Sequence, residues 1–328
     1  MAASKKKSFR EIARELHLSP ATVSRIASGI GHFSPETTKQ VTDALKEEGY
    51  ILEEPSASLP VIAAVVTDLA NELYNNILTC LTRYLSRKGI LLQIYLENQS
   101  QETLLAQLIS EKPEGIILLG TPLSRLVLDS SVPLIHVLSG SQASYHGKRY
   151  AIFSDEYVGG RLAARQFIEN GCFLPVILNN RHTSQGDSLR IKGFLDEWAG
   201  AGKNTEDIYI HDGEPFKSAF FSAHDIIAYL KAKGQSFDAV FACSDWRAYG
   251  ALVALREMNC LVPEEVKVIG FDGERVSRYC EKPFTTIQQN PDMIATAAME
   301  MLLALIHQTP VKDELQLIPV QVQRGMSV

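Results

Sequence analysis

Eight apolar runs punctuate residues 61–273, and their regularity restricts the fold more than any other feature of the chain. "VIAAVVTD", "ILLQIYLEN", "EGIILLGT" and "VPLIHVL" form a first set; "LPVILNN", "IYIHDG", "DAVFACSD" and "VKVIGFDG" form a second. Amphipathic stretches such as residues 71–88 separate them. A strand that is apolar along its whole length is buried on both faces, and strands alternating with helices pair in parallel. The pattern predicts an α/β body of two doubly wound parallel-sheet lobes. Ligands in such sheets bind just beyond the carboxyl ends of the strands. Those ends read Thr67-Asp68, Asn98, Thr121, Asp155, Asn179-Asn180, Asp212, Ser244-Asp245, Asp272 and Gln288. Each short polar side chain there can serve as a turn former, but as a set they suit a small polyhydroxylated ligand.

The first fifty residues follow another rule. Ser19-Pro20 and Ser34-Pro35 lie fifteen positions apart, each before a helical stretch. Serine at an N-cap accepts a bond from a free backbone N–H, and proline at the first helical position loses nothing. Before them, Ser8 and Glu11 form a capping-box pattern, and Ile12, Ala13 and Leu16 share a face. Three short helices are expected: one from Ser8, one over Pro20 to Ala27, and one from Pro35 to Glu48 that stops at Gly49. The first two, joined by a tight turn, make a helix-turn-helix, whose second helix reads base edges in the major groove. Charge agrees. Residues 1–33 hold six bases against two acids, a net of +4, so the remainder of a chain with net charge −6 carries −10. A basic head on an acidic body is the distribution that a local nucleic-acid contact needs, although a lysine-rich terminus that merely aids solubility would carry the same charge.

Other classes are disfavoured. Five scattered cysteines, an odd number with no C-x-x-C pair, fit reduced thiols in a cytoplasmic protein. No run of eighteen apolar residues predicts a membrane span, and the basic start lacks the apolar segment of a secretory signal. Walker A, G-x-G-x-x-G, G-x-S-x-G and H-E-x-x-H motifs are missing, and the eight histidines have no metal-ligand spacing. No enzyme, cofactor or metal is expected.

"IARELHLSPATVSRIASGIGHFSPETTKQVTDALKEEGY" resembles the DNA-binding head of the LacI-type (lactose repressor/galactose repressor) family, through P-A-T-V-S-R, S-P-E-T and G-Y. The resemblance implies that Ser19 caps the recognition helix and that Pro20 and Ala21 stand where bases are read. By the same match, Ser24 and Arg25 contact bases and backbone, Thr22 lies near a phosphate, and His32 reaches DNA from the following loop. Pro20-Ala21 offers little hydrogen bonding, so base reading should lean on Arg25, whose fork fits guanine.

The body is similar to the periplasmic-binding-protein-like core of the same family. "SLRIKGF" matches R-x-x-G-F and implies that Arg190 binds the effector. "VIGFDGERVSRYCEKPFTTIQQ" matches I-G-F-D…L-T-T-I-x-Q and carries over Asp272 and Gln288. "FSDEYVGGRLAARQFI" matches D-N-x-x-G-G-x-x-A with Asp155 at the ligand position. "ACSDWRAYGAL" matches A-N-D-x-x-A-x-G-A, with Asp245 conserved in type but Ser244 where asparagine is usual. Tyr74, in the loop after the first strand, matches an aromatic near the ligand, and Phe216 an apolar wall; core packing is the alternative for both. A guanidinium and a carboxylate each bind adjacent sugar hydroxyls in pairs, so Arg190 and Asp272 favour a sugar effector. An Arg–carboxylate pair closing the cleft by itself is the alternative, a nucleobase or nucleoside is the second effector class, and a DNA-binding regulator with a silent pocket is the remaining reading, which Ser244 leaves open.

The expected organisation is a head at 1–50, a hinge at 51–60 and an effector-binding body at 61–328. The body divides into lobe one (about 61–170 and 289–308) and lobe two (about 171–288 and 309–328). In the family a hinge helix wedges a leucine into the minor groove. Here Leu59 takes that place in "ILEEPSASLPVIAAVV", but the usual arginine is missing, Glu53-Glu54 oppose phosphates, and Pro60 stops a helix. Hinge insertion is therefore expected to be weak or absent. The C-terminal "LIPVQVQRGMSV" ends without a leucine heptad tail, which implies a homodimer on an imperfectly palindromic double-stranded operator.

Overall fold

The computed structural model describes residues 6–27, 33–50, 59–97, 101–121, 132–139, 150–179, 189–213 and 217–328. The chain divides into two compact units, Met1–Pro60 and Val61–Val328.

In the first unit, α1 (Phe9–Glu15), α2 (Pro20–Ala27) and α3 (Pro35–Glu47) surround a core of Ile12, Ala13, Val23, Val41 and Leu45. Each helix start is fixed as the sequence predicts. Glu11 N donates to Ser8 Oγ at 3.4 Å while Ser8 N donates to Glu11 Oε2 at 2.7 Å, a reciprocal capping box. Ser19 Oγ accepts from Thr22 N at 3.0 Å, and Ser34 Oγ from Thr37 N at 3.1 Å. Helix α3 ends where Gly49, at φ 72°, donates to Lys46 O, and Tyr50 N donates to Leu45 O. Tyr50 then stacks near Phe9, ring centroids 4.9 Å apart, and ties the third helix to the first.

The second unit holds two six-stranded sheets. The first runs β11 (Leu315–Ile318), β5 (Ala151–Ser154), β4 (Leu134–Val137), β3 (Gly115–Leu119), β1 (Val61–Val66) and β2 (Leu91–Leu96), parallel throughout. Helices α4 (Glu72–Ser86) and α11 (Pro291–Ile306) cover one face through Leu73, Ile77, Leu81, Ile294, Ala298 and Leu302. On the other face, α5 (Gln101–Glu111) packs Leu104 and Leu108 against Ala63, Val65 and Ile116.

The second sheet runs β12 (Gln321–Gln323), β10 (Thr285–Gln288), β9 (Lys267–Asp272), β8 (Ala239–Ala242), β6 (Pro175–Asn179) and β7 (Tyr209–Asp212). Only β12 is antiparallel to its neighbour among these described pairs. Helices α6 (Glu156–Glu169) and α7 (Leu189–Gly200) cover one face, where Trp198 is fully buried and stacks on Phe194. Helices α8 (Ala219–Ala232) and α9 (Asp245–Glu257) cover the other, with the short α10 (Val276–Tyr279) beside α9.

The lobe boundaries differ from those read in the sequence. Helix α6 packs on α7, β10 and β12, so it belongs to the second lobe, whereas β11 completes the first sheet. The chain crosses between lobes at 154–156, 288–291 and 318–321; the second crossing agrees with the boundary read at 288, whereas the first and third replace those read at 170 and 308. An amphipathic helix shows that it covers a sheet, but its sequence does not say which one. No helix among the described residues is long and apolar enough to cross a membrane.

Candidate functional site

The site lies where the strands of the second lobe end and the chain crosses to the first. Arg190, in the first turn of α7, is its centre. Its Nη1 donates to the Cys243 carbonyl at 2.6 Å, and its Nε and Nη2 donate to Glu156 Oε1 at 3.1 and 2.9 Å. Asp272 Oδ1 stands 3.3 Å from Nη1, and the guanidinium carbon lies 3.8 Å from the centroid of the Phe271 ring. Burial disfavours the charge of Arg190, but Glu156 and Asp272 outweigh it and hold the guanidinium firmly protonated. Burial pushes the Asp272 carboxyl up, and Arg190 and Gln289 pull it back only in part.

Two glycines allow this approach of α6 to α7. A Cβ on Gly160 would stand 1.9 Å from the Arg190 carbonyl oxygen, and one on Gly193 would stand 2.0 Å from that of Tyr157. The glycines of "DEYVGG" and "RIKGF" are therefore packing residues that set where Arg190 and Glu156 meet.

From the first lobe comes Tyr74. It lies in the first turn of α4, capped by Asn71, rather than in the preceding loop as the sequence reading has it. Its ring occupies the space that a side chain at Gly120 would need. Burial raises the Tyr74 hydroxyl, and Asp272 adds to the rise while Arg190 opposes it, so these groups of both lobes share one space.

Other predicted residues fall differently. Asp155 N-caps α6, its Oδ1 accepting from Val158 N at 3.0 Å. Ser244 N-caps α9 and accepts from Arg247 N and Nη1, both at 3.4 Å. Two assignments are corrected. Asp245 is 0% exposed, and its oxygens accept from Thr286 Oγ1 and from Glu274 N, each at 2.6 Å. It is an internal brace rather than a group facing a ligand. Gln288 turns away and accepts from Gln321 Nε2 at 3.1 Å. Its neighbour Gln289 takes the inward place, donating to Asp272 Oδ1 at 2.7 Å and accepting from Ser154 Oγ. Successive residues of a strand face opposite ways, so a one-residue slip in matching "TTIQQ" exchanges the two. Phe216 and His32 lie outside the described residues, as do Asn98 and Asn180.

Two further residues escaped the sequence reading. Glu156 binds Arg190 in the second position of the D-N pattern, a departure visible in "SDEY". Arg247, 7% exposed, donates Nε to the Asn179 carbonyl at 2.8 Å, while Asn179 Nδ2 donates to Asp212 Oδ1 at 2.7 Å. A helical arginine five residues beyond the end of β8 carries no signal of its own.

In the first unit, Ser19, Pro20, Ala21, Ser24 and Arg25 are exposed along α2, opposite the buried Val23, and Thr22 is half-buried with its hydroxyl 2.8 Å from Ser19 Oγ. Leu59 is 49% exposed; hinge residues 51–58 lie outside the described residues.

A three-helix head followed by two α/β lobes with a polar cleft defines the class of periplasmic-binding-protein-like regulators. The model of the periplasmic binding protein-like domain matches residues 164–328. The ribose operon repressor of Escherichia coli (strain K12) is 25% identical over 97% of this chain and 98% of its own length. The HTH-type transcriptional repressor PurR of Actinobacillus pleuropneumoniae serotype 3 (strain JL03) is 25% identical over 91% of this chain and 90% of its own. Among solved structures, the Lac repressor bound to ONPG in the repressed state superposes with a TM-score of 0.73 at 21% identity, covering 99% of this chain and 100% of that one, a likeness of fold. The chain belongs to the periplasmic-binding-protein-like family, and the relatives it resembles over nearly their whole length are named as transcriptional repressors.

Proposed function

We propose that this chain is a cytoplasmic transcriptional repressor that binds an imperfectly palindromic operator as a homodimer and is controlled by a small molecule held between its lobes. In this reading the exposed row on α2 supplies the DNA contacts, with Pro20 and Ala21 at the base-reading start, Arg25 giving the bidentate contact, Ser24 sharing base and backbone contact with it, Thr22 near a phosphate, Ser19 capping the helix and His32 reaching DNA from the following loop. Leu59 stands beside Pro60 and contributes little to the minor groove.

The observation that carries the effector reading is the Arg190–Asp272 pair, donor beside acceptor, with Gln289 and Tyr74 in the same space. Adjacent sugar hydroxyls match this pairing, donating to Asp272 and accepting from Arg190. Asp155 and Ser244 retain oxygens for further hydroxyls, and Phe216 supplies an apolar wall. Glu156 competes for Arg190 until a ligand enters. A sugar is therefore the favoured class, and a nucleobase or nucleoside is the second.

A thermal-shift panel of sugars, sugar phosphates, nucleosides and purines tests the reading. A ligand at about a thousand times its Kd stabilises by roughly 4 kcal/mol. Arg190→Ala is expected to abolish that shift and the ligand's effect on operator binding. A shift that survives the substitution places the effector elsewhere.

A further inference from the structure

Two segments that carry site residues in different lobes are also tied to each other. Glu72 opens α4 of the first lobe, two residues before Tyr74, and Arg275 follows Asp272 by three residues in the loop between β9 and α10 of the second. The Arg275 backbone N–H donates to Glu72 Oε1 at 3.0 Å and Oε2 at 3.2 Å, and Oε1 stands 3.6 Å from Arg275 Nε. The partners are 203 positions apart in the chain, and neither lies in a crossover.

The two halves of this contact differ in weight. The Arg275 side chain is 76% exposed, so water screens its ion pair and the guanidinium holds little. The Glu72 side chain is only 26% exposed, and its bond to the backbone N–H is charge-assisted. The loop that donates this N–H is strained and pinned. Asp272 and Gly273 stand at φ 110° and 78°, Arg190 and Gln289 hold the Asp272 side chain, and Glu274 N donates to Asp245 Oδ2 at 2.6 Å. Such backbone persists where its surroundings over-determine it, and here one of the partners comes from the other lobe. Rotation about the crossovers changes the separation of α4 from this loop, so the bond is made at one lobe angle and lost at another.

We propose that Glu72 is a latch between the lobes: by accepting the Arg275 backbone N–H it holds Tyr74 beside Asp272 and Arg190 before any effector arrives, and it lets go when the lobes swing apart. It acts through Tyr74 and the β9–α10 loop, as a positioning residue. A carboxylate that favours one of two lobe angles shifts their populations without touching a ligand. Its bearing on effector affinity rests on the reading above; the latch itself does not.

Small-angle X-ray scattering and residue-resolved amide hydrogen exchange of the full chain, with no ligand added, test the latch. Glu72→Ala removes the acceptor, and Arg275→Ala removes only the guanidinium. Arg275→Pro removes the N–H but keeps the carbonyl that accepts from Arg278 N and Tyr279 N, at a φ of −58° that proline adopts. Glu72→Ala is expected to speed exchange of the Arg275 amide by roughly ten- to a hundredfold, the range of a hydrogen bond to a charged group, and to enlarge the radius of gyration. Glu72→Gln, which keeps one oxygen, should fall between. Arg275→Pro should expand the molecule as Glu72→Ala does, the two together no further, and Arg275→Ala should leave its size unchanged. A contact that only stabilises α4 would lower the urea midpoint of Glu72→Ala without altering its scattering, and that result overturns the proposal. So does an Arg275 amide no faster in Glu72→Ala, or an expansion in Arg275→Ala equal to that in Glu72→Ala. No effector enters these measurements, so the latch and the effector reading can each fail alone.

Discussion

Asp272 sits at φ 110°, a backbone region that residues with a Cβ rarely adopt, and Gly273 follows at φ 78°. Such a conformation costs about 1–3 kcal/mol and persists where its surroundings fix it. Here Arg190 and Gln289 hold the side chain and Gln289 N donates to the Asp272 carbonyl at 3.1 Å. The strained residue presents its carboxylate at the crossover of the lobes, where movement is read out. Nearby carboxyls also set how stability depends on pH. Glu274, at about 8 folded against 4.5 for a free side chain, keeps a proton in the native state that the unfolded chain has lost. Its contribution is full below about pH 4.5 and disappears as pH rises toward 8, at up to about 1.4 kcal/mol per pH unit. Asp272 and Asp245, also raised by burial, act in the same direction. Urea midpoints should therefore fall from pH 5.5 to 7.5 more steeply in the native chain than in Glu274→Gln. Equal slopes would mean that Glu274 is already ionised in this window.

At the scale of elements, the contact of α6 with α7 positions the site. Nearly flush backbones at Gly160 and Gly193 bring Glu156 and Arg190 together, and the pair gains Tyr157 Oη donating to Asp196 at 2.9 Å and Arg161 to Glu197 at 2.7 Å. Gly160→Ala drives a methyl into the Arg190 carbonyl, and rigid main chain cannot yield as a side chain would. A loss of about 3 kcal/mol or more is expected in urea unfolding. Effector affinity should fall with it, since α7 carries Arg190. Loss of stability with unchanged effector affinity would show that the helices separate without moving the guanidinium. By contrast, α2 gains precision from its start, where Ser19 fixes the first turn and so the residues that we propose meet DNA.

For the whole molecule, two linked equilibria follow from the architecture. Three crossovers let the lobes change angle, the movement through which the proposed effector would act on operator affinity. If effector shifts operator affinity by a given factor, operator must shift effector affinity by the same factor, with coupling of about 1–3 kcal/mol. Operator titrations with and without effector, paired with effector titrations with and without operator, should close this cycle. Unequal factors would indicate a change of oligomeric state within it. Operator affinity should also fall steeply with salt, because the basic residues that meet phosphate sit in a head whose body is acidic.

Local chemistry was enough for the head. Capping boxes, Ser-Pro starts and the Gly49-Tyr50 stop act within a few residues, so the sequence alone determined where its helices begin and end. The same holds for the α/β pattern, because a strand buried on both faces must be apolar throughout. Arg190 and Asp272 were legible through motifs at strand and helix ends. Tertiary structure alone decided what those groups meet. Gln289 rather than Gln288 reaches Asp272, a place that T-T-I-x-Q laid on Thr285, Thr286 and Ile287 already gives it, whereas Asp245 became a brace because Thr286 and Glu274 arrive from distant segments. Helix α6 joined the second lobe because only there do paired glycines admit it. Glu274 is left buried with one oxygen that meets no donor, which nothing in its own stretch of sequence announces. Periodicity and motif report a residue's own element; partners, burial and charge come from residues far away in the chain, and only folding brings them together.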